Sequence, residues 1–301
     1  MVKGFGKVIL LGEHAVVYGR PALAAALARG VDARWSSSAS PRLRIAPWRV
    51  DVGPGGSTEL ARAFRALLGG DAPAVTVDAT VELPAGAGLG CSAALGVAVL
   101  RALDEAAGRE ADDEDVAERS LAWERVFHGN PSGVDSALAA AGGVRVFRRG
   151  ERLATVSVGA RLPLVIGHSG EPGSTKATVA EVARRHAADR EGTERTFDAI
   201  AALVESGRRA VGDGALPALG RAMNENHAHL RALGVSTDRL DALTDVARQA
   251  GALGAKLTGG GGGGCMVALA AGRDRAESIR RALAAEGSDA FLAEVAAGRV
   301  A

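Results

Sequence analysis

Leu83-Pro84-Ala85-Gly86-Ala87-Gly88-Leu89-Gly90-Cys91-Ser92-Ala93-Ala94 joins two stretches whose apolar periods differ. Before it, Val75, Val77, Ala79, Val81 and Leu83 alternate, the period of a half-buried strand. After it, Leu95, Val99 and Leu103 recur at helical spacing, and Gly108 predicts the end of a helix over 92–107. Glycines at alternate positions let the backbone turn sharply and bring amide N–H groups close to a ligand. The helix start adds unpaired N–H donors and a partial positive charge, which together suit a phosphate group. Ser92, in the first turn, offers a hydroxyl for Mg2+, as a hydroxyl does at P-loops. The plainer alternative is a tight strand-to-helix turn in which glycine serves packing alone.

Outward from this unit the period keeps switching between strand and helix. Strands are predicted over 8–11, 143–147, 162–166, 266–270 and 290–295. Helices are predicted over 114–127, 175–190, 194–206, 216–233, 238–250 and 274–286. No internal repeat is visible. Charged and small residues over 150–161 separate strand signals, and a division there gives domains over 1–158 and 159–301.

Composition narrows the classes. The chain has 301 residues, 47% hydrophobic and 24% charged, values ordinary for a folded protein with real cores. Lys plus Arg number 36 against 35 Asp plus Glu. That balance carries no electrostatic footprint for nucleic acid or an anionic membrane surface. No apolar run reaches the roughly 18 residues of a bilayer span. Gly12-Glu13-His14 interrupts the short apolar start too early for a signal peptide. The expected location is the cytoplasm, with Cys91 and Cys265 reduced.

Neither common nucleotide motif is present. Walker A needs Gly-Lys-Ser/Thr, which the chain lacks. The six glycines Gly259 to Gly264 run between two strand-like pieces, whereas a dinucleotide fingerprint opens a helix. Six consecutive glycines cost much conformational entropy. Close approach to a ligand explains them, and a flexible linker is the alternative. H-E-x-x-H and G-x-S-x-G are both absent, which removes the zincin and nucleophile-elbow readings.

Two charged segments remain. Lys7-Val8-Ile9-Leu10-Leu11-Gly12-Glu13-His14 sets a Lys at a strand start and an acid–imidazole pair at its end. In Glu124-Arg125-Val126-Phe127-His128-Gly129-Asn130-Pro131-Ser132-Gly133-Val134-Asp135, Glu124 and His128 share a helix face. Asp135 follows a turn that presents it at a loop or new helix start. Phosphoryl transfer uses such parts: cations and backbone donors around phosphates, a carboxylate and hydroxyl for Mg2+, and an acid for the attacking hydroxyl. Alone, Asp135 reads equally well as a helix N-cap and Glu124 as a solvated acid.

Taken together and in this order, these segments resemble the three motifs of the GHMP kinases (galacto-, homoserine, mevalonate and phosphomevalonate kinases). The resemblance spans residues 7–270. Lys7 to Gly19, Lys256 to Cys265 and Asn226-His227-Ala228-His229 look most like the mevalonate branch. It implies an α+β, two-domain fold: an N-terminal α/β domain, a ferredoxin-like C-terminal α/β domain, and the site in the cleft between them. It implies ATP and Mg2+ as cofactors and mevalonate as the substrate. Another GHMP small-molecule kinase, or an inert binding protein on the same fold, is the alternative. No nucleic acid or membrane partner is implied, and a homodimer is compatible with it.

By the same resemblance Asp135 would be the catalytic base or orient the hydroxyl, with Lys7 paired to it. Ser92 and Glu124 would hold Mg2+, and Gly86, Ala87, Gly88, Leu89, Gly90, Cys91, Ser92, Ala93 and Ala94 would wrap the ATP phosphates. Glu13, His14, Thr258, Gly259 and Gly260 would face the substrate, with Ser174 and Thr175 bordering the site. Three departures stand out: Cys91 where the family usually has Ser, Tyr18 where some relatives have His, and Gly260 for a usual Ala. The last is expected only to loosen its loop.

Overall fold

The chain opens with two long antiparallel strands, β1 (Val2–Leu11) and β2 (Ala22–Ser37), joined through a 3-10 turn at Ala15–Tyr18. The computed structural model describes residues 1–69, 73–84, 86–129, 131, 133–151, 153–173 and 175–296. Further along come β3 (Arg42–Ile45), β4 (Val50–Val52), α1 (Glu59–Leu67), β5 (Val75–Val81), α2 (Cys91–Ala106), α3 (Asp113–His128), α4 (Val134–Ala141), β6 (Val144–Phe147) and β7 (Ala154–Val156). The second half holds β8 (Leu164–His168), α5 (Thr175–Ala188), α6 (Arg190–Gly212), α7 (Leu216–Ala232), α8 (Asp238–Gln249), β9 (Gly254–Thr258), β10 (Cys265–Leu269), α9 (Arg273–Ala285) and β11 (Asp289–Ala293).

β2 organises the first sheet. β1 lies along one edge, while β6 and β5 share the other, all antiparallel. β3 joins β5 in parallel, and β4 and β7 close the two ends. The start of β2 is Ala-rich (Ala22, Ala24, Ala25, Ala26), a composition that favours helix in isolation. Here the short side chains let α2 and α4 pack onto the strand. At Gly4 of β1 even a Cβ would lie 2.0 Å from the Ala94 carbonyl oxygen, so strand and helix backbones nearly touch.

The second sheet runs β11-β8-β10-β9, antiparallel throughout. Numbered by strand this is 4-1-3-2, the split βαβ arrangement of ferredoxin-like folds. Its helices α5 to α9 cover one side, where Phe197, Leu230, Leu240, Ile279 and Leu283 pack on Val165, Leu257 and Met266 of the sheet. On the other side, Leu164, Ile166 and Val267 join Leu10, Leu11 and Leu23 of the first sheet in one core. Each such side chain contributes roughly 1.5–3 kcal/mol on burial. The sheets are therefore fastened through a shared core, and β1 reaches the seam between them.

Local signals account for the helix starts nearest the site. Asp112 caps α3 by accepting from the Asp115 N–H at 2.8 Å, with Asp113, Glu114 and Asp115 in the first turn. α2 and α4 instead begin at left-handed glycines, Gly90 and Gly133, which supply no capping side chain. At α2 the first-turn N–H groups thus meet no capping side chain from Gly90. Among the described residues no helix is long and apolar enough to cross a membrane.

Candidate active site

Lys7 and Asp135 are 128 positions apart in sequence, yet their Nζ and Oδ1 atoms lie 3.3 Å apart. Lys7 comes from the middle of β1 and Asp135 from the first turn of α4. The Lys7 side chain is 8% exposed and that of Asp135 is 37% exposed, so the amine is sheltered and the carboxylate open. Beside them Ser92 Oγ donates to Glu124 Oε1 at 2.5 Å. Glu124 Oε2 faces His128 Nε2 at 3.7 Å, the i,i+4 neighbour expected from spacing. Burial pushes the Glu124 carboxyl up, the Ser92 hydrogen bond opposes this, and Asp135 and Lys7 also bear on it with opposite signs. These five side chains thus form one electrostatic group.

The glycine segment over 86–94 closes this group from above. Leu89 accepts the Lys7 backbone N–H at 2.9 Å, tying loop to strand. Gly90 has φ +72°, and a Cβ there would lie 2.8 Å from Lys7 Cγ. Glycine is needed at that point for both reasons. Ala93 and Ala94 are buried in the first turn of α2, and Ser92 is half-buried. Cys91 is buried, and desolvation pushes its thiol to about 11. It is a neutral thiol and no competitor for a cation.

A carboxylate and a hydroxyl oxygen meeting beside a phosphate-suited helix start fit Mg2+, which prefers hard oxygen ligands. Among the described residues no cluster of three or more His, Cys, Asp or Glu could hold a metal by itself. The fit is thus to an ion that takes one or two protein oxygens and completes its shell with phosphate and water.

The second glycine loop is pinned. Gly262 donates to Val235 O at 2.9 Å, Gly264 to Glu171 O at 2.9 Å, and Gly264 O accepts from Ser169 at 2.8 Å. Gly259 and Gly261 to Gly264 all have left-handed φ, between 65° and 122°, which explains the run and leaves no room for a linker reading. Gly88 approaches Thr258 and Gly259 closely enough that its Cβ would lie 3.7 Å from the Thr258 carbonyl oxygen. The two glycine loops are therefore adjacent.

Gly260 does more than loosen its loop. A Cβ there would lie 2.4 Å from Thr175 Oγ1, so alanine would collide with the first residue of α5. Ser174 lies outside the described residues, as do Ala85, Asn130 and Ser132 of the motif segments.

His14 follows Gly12-Glu13 in a strained left-handed conformation, φ 61°, which costs roughly 1–3 kcal/mol and marks a constrained position. Its Nε2 lies 2.8 Å from Gly260 O. A carbonyl only accepts, so Nε2 carries the hydrogen. Burial lowers the imidazole pKa, which leaves the ring neutral with Nδ1 as an acceptor.

Glu13 and Thr258 are placed differently from the other named residues. Glu13 is buried against Lys256 of β9, and Thr258 bonds to the backbone of Ile9. Both point into the seam between the sheets. Lys256 and Asn226, which complete this cluster, were given no role by sequence reasoning. A signal existed: a charged residue between Ala255 and Leu257 in a strand must find a buried partner.

The chain matches known families along most of its length. The GHMP kinases N terminal domain matches residues 57–143 and the GHMP kinases C terminal domain matches 199–289. A mevalonate kinase of Pyrococcus horikoshii is 37% identical over 298 residues, covering 89% of this chain and 88% of its own. One from Methanothermobacter thermautotrophicus is 36% identical, covering 87% of each. Among solved structures, L. major mevalonate kinase in complex with R-mevalonate superposes with TM-score 0.89 at 30% identity, over 99% of this chain and 96% of that one.

Proposed function

We propose that this chain, which belongs to the GHMP kinase family, transfers the γ-phosphoryl group of ATP to the primary hydroxyl of mevalonate, giving 5-phosphomevalonate and ADP. The observation that carries the reading is the convergence of Lys7 and Asp135, 3.3 Å apart, beside the Ser92–Glu124 pair. It is supported by relatives and a solved neighbour that are themselves mevalonate kinases. The cytoplasm is the proposed location.

In this reading the open carboxylate oxygen of Asp135 receives the proton of the attacking hydroxyl. As that proton leaves, the substrate oxygen bonds to the γ-phosphorus and the bond to the β-phosphate bridging oxygen breaks, releasing ADP. Lys7 orients Asp135 from 3.3 Å, and its charge faces the phosphoryl oxygens as negative charge develops. The backbone N–H groups over 86–94 and the start of α2 cradle the phosphates. Ser92 and Glu124 would hold Mg2+, which when bound would neutralise phosphate charge. The neutral His14 and Thr175 border the substrate, and the loop over 259–264 excludes water.

An ADP-release assay across mevalonate, phosphomevalonate, homoserine and galactose tests the assignment. Turnover is expected with mevalonate at an efficiency well above the other three. Activity confined to another of these alcohols would defeat it.

A further inference from the structure

Lys256, in the middle of β9, has no exposed surface and no apolar reason to be there. Its amine donates to Glu13 Oε1 and to Leu257 O at 2.6 Å, and Ile9 O lies 3.5 Å away. Three acceptors meet three N–H groups, so no donor is left for a ligand. Glu13 is engaged at both oxygens: Oε1 accepts from Lys256, and Oε2 accepts from Asn226 Nδ2 at 3.2 Å. The other end of the same amide, Asn226 Oδ1, accepts the Gly12 N–H at 3.2 Å. Thr258 Oγ1 accepts from Ile9 N at 3.0 Å and donates to Ile9 O at 3.1 Å, taking the place of a strand partner. The end of β1 is thereby fastened to β9 and α7 at three successive points.

A buried ion pair is poor value as a stabiliser. Desolvation raises the Glu13 carboxyl and lowers the Lys256 amine, and their attraction only opposes this. Apolar replacements of such pairs are often neutral or stabilising. What this pair supplies that leucines would not is direction, since its hydrogen bonds define one register of β1 on β9. Lys7 sits two residues before Ile9 on the same face of β1, about 6–7 Å along the strand. Gly259 follows directly on Thr258. One rigid joint thus lies between the amine at the reacting phosphate and the loop that covers it.

We propose that Lys256, Glu13 and Asn226 are positioning residues that hold Lys7 in register with the glycine loop over 259–264, and that Glu13 does not contact the substrate. The proposal rests on the reading of Lys7 given above. A misplacement of about 1 Å in such a site lowers turnover on the order of 100-fold.

The test is the double variant Glu13→Gln/Lys256→Met, which removes both charges together. It should unfold at the wild-type denaturant concentration, with kcat reduced about 10- to 100-fold and both KM values changed less than about threefold. Wild-type kcat in the folded double variant would overturn the proposal. So would an unchanged kcat with a raised KM for mevalonate, which would make Glu13 a substrate contact. Should the double variant not fold, Asn226→Ala removes only the two amide hydrogen bonds. It should lower kcat about tenfold at unchanged KM, and wild-type kcat there is equally fatal. A Lys7→Met control separates the layers: full turnover in it would refute the reading of Lys7 rather than the joint.

Discussion

Two amine–carboxylate pairs lie on either side of the same strand end, and they are built oppositely. Lys7 and Asp135 stand 3.3 Å apart with the carboxylate 37% exposed, so one Asp135 oxygen has room for a hydroxyl. Lys256 and Glu13 are 0% and 1% exposed, and both Glu13 oxygens and the Lys256 amine are engaged within the protein. The first pair is open to a ligand, and the second has no surface for one. Identical chemical groups are therefore set in opposite surroundings, and the distinction is exposure. Charge type alone would have assigned both to chemistry.

The contrast can be broken most decisively at the open pair. Asp135→Asn should fold and bind ATP yet lose about 10^2- to 10^4-fold in kcat, the contribution of a positioned general base. Steady-state turnover alongside nucleotide binding checks it; near-normal turnover would remove Asp135 from the mechanism. The closed pair should respond in stability first. Lys256→Met alone leaves Glu13 buried without its cation and should cost about 3–5 kcal/mol in urea unfolding. A loss below about 1 kcal/mol would mean the joint is not dry.

A buried imidazole lies next to β9 as well. His227 Nδ1 accepts from the Leu257 N–H at 3.4 Å, and Nε2 faces Asp241 Oδ1 at 3.1 Å and Thr244 Oγ1 at 3.2 Å. Protonating Nδ1 would set two donors against each other. Desolvation holds the imidazole pKa down at about 4, opposed by Asp241 and assisted by Lys256, Arg248 and Arg231. The unfolded chain binds this proton below about pH 6.5 while the folded chain does not until about 4. This group's share of stability is therefore complete above about pH 6.5 and declines by up to about 3 kcal/mol on acidification to about pH 4. Urea titrations of wild type and His227→Gln at both ends of that range should show a smaller pH loss in the variant.

The smallest effect is expected at the loop joining the two regions. Gly90→Ala places a side chain at φ +72° against Lys7 Cγ. It should cost about 1–2 kcal/mol of stability, with kcat falling more than KM rises. An unaltered kcat would mean that Lys7 need not be held by this loop.

Much of the candidate site could be proposed from sequence because its parts carry local signals. The glycines of 86–90 interrupt one period and start another, and the Glu124–His128 spacing needs only helix geometry. The strand–loop–helix unit from Val75 to Ala106 follows in the same way, within one or two residues at each boundary. β2 had no such signal. Its alanines lack a strand period, and the strand exists because three others pair with it and two helices need short side chains beneath them. β3, β4 and β7 are three or four residues long, too short for any period.

By itself the order of residues determined where glycines let the chain bend, where helices begin near them, and that an amine, two carboxylates and a hydroxyl stand in motif segments. Such properties depend on neighbours a few positions away. Only the tertiary structure decided which carboxylate stays open and which is sealed. Asp135 meets Lys7, and Glu13 meets Lys256, across separations of 128 and 243 residues, and exposure is set by what packs around each pair. Burial belongs to the assembled fold, so no local pattern can encode it.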